Sequence, residues 1–193
     1  MSKKSLLTEA DFVRAAKNLG APVAAVKAVL EVEAPRGGFQ ADGQVSILFE
    51  RHKFSKHTRG RFDKKHPDIS NPIAGGYGPY SVQHAKLARA AAINREAALM
   101  SASWGKPQIL GSNWAEAGAE SLQDFMNKMH ESEGAQLDLF VGFIKANKTR
   151  WNALKELDWA EFARLYNGSN YRRFKYDTKL AAAYKKYAPD PQP

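Results

Sequence analysis

Cysteine is absent from the 193 residues, which excludes a disulfide framework, a thiol nucleophile and any thiolate-ligated metal. The five histidines, His52, His57, His66, His84 and His130, are scattered along the chain. None falls in an H-E-x-x-H pattern or any other dense ligand spacing, so the sequence offers no metal site and calls for no cofactor. A G-x-S-x-G elbow and the phosphate-loop signatures are also missing, which removes the usual serine-hydrolase and nucleotide-binding arrangements. No apolar run approaches the length of a membrane span, and the N-terminal MSKKSLLTEADF lacks the apolar stretch of a secretory signal. Acidic charge is in short supply. Asp and Glu number 20 against 29 Lys and Arg, giving a net charge of +9 and a pI near 9.7. That balance points to an anionic partner: nucleic acid, a membrane surface or an acidic polymer. Hydrophobic content of 44% and charged content of 25% are those of an ordinary globular chain. With no internal repeat and no interior linker, one domain over residues 1–193 is expected, with a Pro-rich frayed tail at 188–193.

What is present is organised around Val23 to Glu50. Pro22 stands at a helix start and Pro35-Arg36-Gly37-Gly38 at its stop. Between them Val23, Val26, Val29 and Leu30 recur at helical spacing, so one face is buried. Glu33 falls seven residues after Val26, four after Val29 and three after Leu30, on that same face. Glu31 points about 160° away and lies four after Lys27, a solvent-side pairing distance. Burial raises the pKa of a carboxyl by disfavouring its charged form. Glu33 is therefore the candidate general acid, because a carboxyl kept protonated can donate to a leaving glycosidic oxygen. The plainer alternative is a helix-end carboxylate that reaches out to water.

Thr8-Glu9-Ala10-Asp11 opens an earlier helix as a capping box with Asp in the fourth place, and Gly20 ends it. Asp42-Gly43 marks a two-residue turn between Phe39-Gln40-Ala41 and Val45 to Phe49, a small β-hairpin and the one β element the pattern supports. Arg51 to Lys65 is strongly basic and runs into a long loop through Gly75-Gly76-Tyr77-Gly78. Ser81 and Asn94 cap helices reaching Ala92 and Met100. A long helix is expected near 125–147 with a weak point at Ser132 to Gly134. Asp158 and Glu161 form a capping box for a helix ending at Tyr166-Asn167-Gly168, and a basic amphipathic helix runs from about Arg172 to Tyr187. The expected fold is mainly α, a helical domain with one small hairpin beside a cleft.

Ser101-Ala102-Ser103-Trp104-Gly105-Lys106-Pro107-Gln108-Ile109-Leu110-Gly111 combines a Gly turn, a Pro, an amide side chain and an aromatic. Backbone polar groups with Gln108, and the face of Trp104 against a pyranose ring, are what a sugar cleft uses. The other reading is a helix–turn–helix corner with Trp104 in the core. For a second carboxylate the sequence leaves two choices. Asp42 lies nine residues after Glu33 in the hairpin turn, where Asp-Gly is also favoured on backbone grounds alone. Glu50, in Phe49-Glu50-Arg51-His52, follows the strand, where it could equally be an ion-pair partner.

An acid at a helix end, then SASWGKPQI, then Tyr166-Asn167-Gly168 resembles the order of stations in the lysozyme-like superfamily, including goose-type lysozymes and soluble lytic transglycosylases. The chain is more similar to the phage endolysin N-acetylmuramidase family, through the Glu33 helix, GGF-x-x-DG, ILFERH, GGYG, SASWG-x-x-QI-x-G, SE-x-x-QL, YNG-x-x-Y and the terminal AY. The resemblance covers nearly the whole chain, and its motifs are specific in combination. It implies an α+β lysozyme-like fold and cleavage of the β-1,4 bond between N-acetylmuramic acid and N-acetylglucosamine in peptidoglycan. It implies Glu33 as catalytic acid, with Gln108, Tyr77, Tyr166 and Asn167 in the cleft. Ala34 stands where Ser is common, and Lys106-Pro107 where an apolar pair is common. The interval from Glu33 to Asp42 is similar to that of T-even phage lysozymes, which place a Thr where Val45 to Leu48 stand here. Members often carry a separate peptidoglycan-binding module, and none is expected in this chain. A monomer is expected, held in the host cytoplasm until release to the wall, with an anionic outer-membrane contact through the C-terminal basic helix. A lytic transglycosylase and a basic nucleic-acid-binding protein are the alternative readings.

Overall fold

The computed structural model describes residues 4–33 and 37–188. The Pro35-Arg36 helix stop, Ala34, and the tail from 189 onward lie outside the described residues. Within them are α1 (Glu9–Leu19), α2 (Val23–Glu33), β1 (Ile47–Phe49), α3 (Arg51–His57), α4 (Gln83–Ile93) and α5 (Arg95–Met100). β2 (Ala102–Trp104), β3 (Ile109–Leu110), α6 (Leu122–Glu131), α7 (Glu133–Ala146), α8 (Lys148–Lys155), α9 (Trp159–Asn167) and α10 (Tyr176–Tyr187) follow. None of these helices is long and apolar enough to cross a membrane.

Six of the eleven residues of α2, Ala24, Ala25, Val26, Ala28, Val29 and Leu30, are buried, so it is apolar almost all round, as a helix packed on several sides must be. α1 and α10 flank it, and α9 backs α10. α7 packs on α1, α6 and α8. At the start of α1 the Thr8 hydroxyl accepts from the Asp11 N–H and the Asp11 carboxylate accepts from the Thr8 N–H, so both halves of the capping box form. Gly20 closes the helix in the left-handed region at φ 61, as a C-terminal glycine does without a Cβ penalty.

The β structure differs from the expectation. β1 pairs with β2 and β2 with β3, all antiparallel, with Ile47 opposite Trp104 and Trp104 opposite Ile109. The Asp42-Gly43 turn is present, closed by Gly43 N–H to Gln40 O at 2.9 Å, but the two arms share only the bridge Phe39 to Val45. The sheet is thus built from the SASWG segment, which reads locally as a helix end and a turn. Side chains alternate across it: Ile47, Phe49, Ala102, Trp104 and Ile109 enter the core, while Leu48, Ser103 and Leu110 share the other face.

Other elements also depart from the sequence pattern. The start of the basic stretch is helical (α3). The long helix near 125–147 is two helices, because Ser132 leaves α6 with extended φ −159 and caps α7 by accepting from Ala135 N–H. α8 was not legible, although Asn147 caps it through Arg150 N–H. Asp158 caps α9, but Glu161 pairs with Arg164 instead of completing a box. α10 begins at Tyr176, four residues later than expected, and buries Leu180 and Ala183 on its inner side. Its apolar stripe is therefore spent on α2 and α9, leaving Phe174 in the preceding turn as the exposed apolar ring.

Candidate active site

Glu33 ends α2, half-buried, and its Oε1 accepts a hydrogen bond from Asn167 Nδ2 at 2.8 Å. Burial pushes its carboxyl up from the ordinary 4.5 to about 7, against the opposing pull of the Asn167 bond and of the Lys179 cation on α10. Removing water destabilises the carboxylate and leaves the neutral acid almost untouched, which sets the direction. Glu31 shows the reverse. It lies across the helix with Lys186 Nζ at 2.7 Å and the Tyr187 hydroxyl, and these bonds hold its carboxyl below the usual range. The expected Lys27–Glu31 pair does not form, because Lys27 reaches Glu9 at 2.7 Å.

Asn167 is delivered by the last turn of α9, which Gly168 ends at φ 85. One residue earlier, Tyr166 packs its ring among Phe140, Phe143 and Phe162, with centroids 5.4 to 6.1 Å away. Its hydroxyl donates to Pro107 O at 2.7 Å. Burial first, and then the nearby Glu33 charge, push that phenol well above its usual pKa, so it remains a donor. Two consecutive side chains thus hold two pieces of the site. Tyr166 fixes the β2–β3 connection, and Asn167 fixes the carboxyl of Glu33.

That connection, Gly105 to Gln108, is a tight loop in which Gln108 adopts φ 50 and Gly105 φ 66. The Gln108 amide donates to Gly105 O at 2.8 Å, so the side chain closes its own turn. Trp104 faces the core, where the sequence offered the face of a sugar cleft or a core position. It is 2% exposed, with its indole N–H on Leu99 O at 3.0 Å and its ring tilted against His130. The register decides this: paired between Ile47 and Ile109, it can only face the core.

On the opposite sheet face Glu50 follows β1 and accepts from Ser103 Oγ at 3.4 Å, with His52 Nε2 at 3.7 Å. The Tyr77 phenol also bonds to it, and its pKa is raised by burial first and then by the Glu50 charge. Arg51 fixes the loop that brings Tyr77, through Nε to Gly75 O at 2.9 Å, and a Cβ on Gly76 would stand 2.5 Å from the guanidinium carbon. Asp42 is exposed, and both of its oxygens are taken by Gln44, from N–H at 3.0 Å and from Nε2 at 2.9 Å. Neither Asp42 nor Glu50 shares a hydrogen bond with Glu33. The hydrogen bonds link Glu33 to Asn167 and Tyr166 to the Gln108 loop, join Glu50 to Ser103 and Tyr77, and leave Asp42 on its turn.

Two polar residues at the back of this arrangement were not legible as site residues. Glu133 is 3% exposed and Gln136 fully buried, and both bond to the Lys106 segment and to Gly38. The signal available was the SE-x-x-QL pattern, which reads locally as a weak point in a helix. A cavity of about 430 Å³ lies on the Glu31 side of α2 between Leu7, Phe12, Lys27 and Tyr187, and Glu33 is not part of its wall.

Residues 22–188 match the N-acetylmuramidase family. Among solved structures, the crystal structure of Burkholderia AP3 phage endolysin is similar, with a TM-score of 0.87 and 39% sequence identity over 97% of this chain and 73% of that one. No curated protein matches the sequence.

Proposed function

The chain belongs to the N-acetylmuramidase family, and from that premise we propose that it is an endolysin, a peptidoglycan glycoside hydrolase, with Glu33 as its general acid. The observation that carries the assignment is the Asn167–Glu33 bond at 2.8 Å on a carboxyl raised to about 7. Below neutral pH Glu33 is largely protonated, and near pH 7 both protonation states are populated. With Oε1 held by the Asn167 amide, Oε2 is the atom free to carry the proton toward a glycosidic oxygen. Proton donation leaves a carboxylate, and the interactions that stabilise it are the Asn167 N–H and the Lys179 charge. The site therefore keeps both protonation states within reach, as an acid that must later act as a base requires.

As the sugar–oxygen bond breaks, positive charge develops on the ring. Glu50 is the better second carboxylate. It faces the open side of the sheet in a pocket of donors from Ser103, His52 and Tyr77, whereas Asp42 has committed both oxygens to its own turn. Gln108 and Tyr77 line the glycan path, and Tyr166 supports it from beneath. The exposed basic residues Arg172, Arg173, Lys185 and Lys186 attract the enzyme to anionic outer-membrane or wall polymer. Their contribution is electrostatic, since the apolar side of α10 is already packed.

Turbidity loss of purified walls with Glu33→Gln and Glu31→Gln, together with mass spectrometry of the parent's products, tests the proposal. Loss of lysis in the first variant only, and muramic acid at the reducing ends, are expected. Equal activity of the two variants refutes the acid. 1,6-Anhydro products assign a transglycosylase instead.

A further inference from the structure

Glu133 is a carboxylate taken out of water, and such a group persists only where donors surround it. Its Oε1 accepts from Gly38 N–H at 2.7 Å and its Oε2 from Leu7 N–H at 3.1 Å, while Lys106 Nζ stands 3.2 and 3.4 Å from the two oxygens. One turn along α7, Gln136 Oε1 accepts from Lys106 N–H at 2.7 Å, and Nε2 donates to Met129 O at 2.8 Å and Gly38 O at 3.5 Å. The two partner segments approach so closely that side chains are excluded. A Cβ on Gly38 would lie 2.2 Å from Gln136 Oε1, and one on Gly105 would lie 2.7 Å from Gln136 Cδ.

The Lys106 segment leads to the acid. Lys106 precedes Pro107, whose carbonyl accepts from Tyr166, and the next residue, Asn167, donates to Glu33. Glu33 is thus reached from α7 through the β2–β3 loop and the end of α9. Neither Glu133 nor Gln136 bonds to Glu33, and nothing in a helix start requires a fully engaged buried carboxylate.

We propose that Glu133, with Lys106 and Gln136, is a positioning device for the general acid, setting where the Glu33 carboxyl stands against the scissile bond. This rests on Glu33 being the acid. The buried ion pair clamps Gly38 and the Lys106–Pro107 loop to one helix, so that the Tyr166–Pro107 bond and the Asn167–Glu33 bond keep a single geometry. Slackening it lets the loop shift and water enter, which displaces the carboxyl and removes part of the burial that raises its pKa.

The test compares Glu133→Gln and Lys106→Met with the parent on a soluble muropeptide oligomer, well below each protein's melting temperature. Folded enzyme is quantified by near-ultraviolet circular dichroism. The expected result is a fall in kcat of at least ~10-fold, since small misplacements of a reacting group have effects of that order or more. KM should change little, and the basic limb of the kcat/KM profile should move to lower pH. A variant that is folded and keeps parental kcat and an unmoved limb overturns the proposal, whatever its melting temperature. If Glu133→Gln does not fold, the half-exposed Lys106→Met decides by the same two readings. Glu33→Gln, run alongside, separates the two levels: activity in that variant removes the acid assignment itself, independently of Glu133.

Discussion

Replacing Glu33 by Gln should stabilise the protein while abolishing its activity, and the size of the gain follows from the site. The carboxyl titrates at about 7 in the folded chain against an ordinary 4.5. Between those values the native state holds a proton that the unfolded state has released, so stability falls as pH rises through this window. Above pH 7 the full cost is present, roughly 3 kcal/mol for a shift of this size. Below pH 4 it vanishes, because the group is protonated in both states. Gln cannot ionise, and its Oε1 can keep the Asn167 bond. The variant should therefore match the parent at pH 4 and exceed it by up to about 3 kcal/mol at pH 8. For a chain of this length that is roughly 6–12 °C in melting temperature. Urea titrations at pH 4, 5.5, 7 and 8 measure the difference, and wall lysis measured in parallel should fall by at least ~10²-fold. Glu31→Gln is the control with opposite sign. Its carboxyl is held low by Lys186, so its contribution is present at neutral pH and lost as pH falls. A Glu33→Gln protein no more stable than the parent at pH 8 would refute the claim that burial tunes this acid.

Asn167→Ala removes the bond that opposes burial at Glu33, so the basic limb of the activity profile should move above the parent's, with kcat lowered because the carboxylate left after proton donation loses its donor; a limb moving to lower pH contradicts this. Glu50→Gln should cost at least ~10²-fold in lysis while Asp42→Asn stays within a few-fold, and the reverse order on purified walls returns the second carboxylate to the hairpin turn. Neutralising Arg172, Arg173, Lys185 and Lys186 to Gln should weaken adsorption to walls and flatten its salt dependence, with activity on short soluble glycan unchanged, because screened surface charges supply the attraction. Undiminished adsorption at low salt in a sedimentation assay removes that role.

The local elements were legible because their causes are local. The Thr8–Asp11 box, the Gly20 cap, the Asn94 cap and the apolar face of α2 each depend on residues within one or two turns. Glu33 was placed by the same reasoning, since 100° per residue puts it over Val29 and Leu30, both buried. The difference between Glu31 and Glu33 needed no tertiary information beyond the fact that α2 has an inside.

Tertiary structure decided the rest. Strands of two and three residues carry too little alternation to declare themselves, and β1 finds its partner more than fifty residues away. That pairing turned Trp104 inward and put Ser103 beside Glu50, which no local pattern encodes. Whether a charge can be buried depends on which donors arrive from elsewhere. Glu133 and Gln136 became internal because Leu7, Gly38 and Lys106 converge on them from three separate parts of the chain. Asn167 could be recognised in the sequence as part of a motif. Its grip on Glu33, 134 residues earlier in the chain, exists only because α9 and α2 end at the same place.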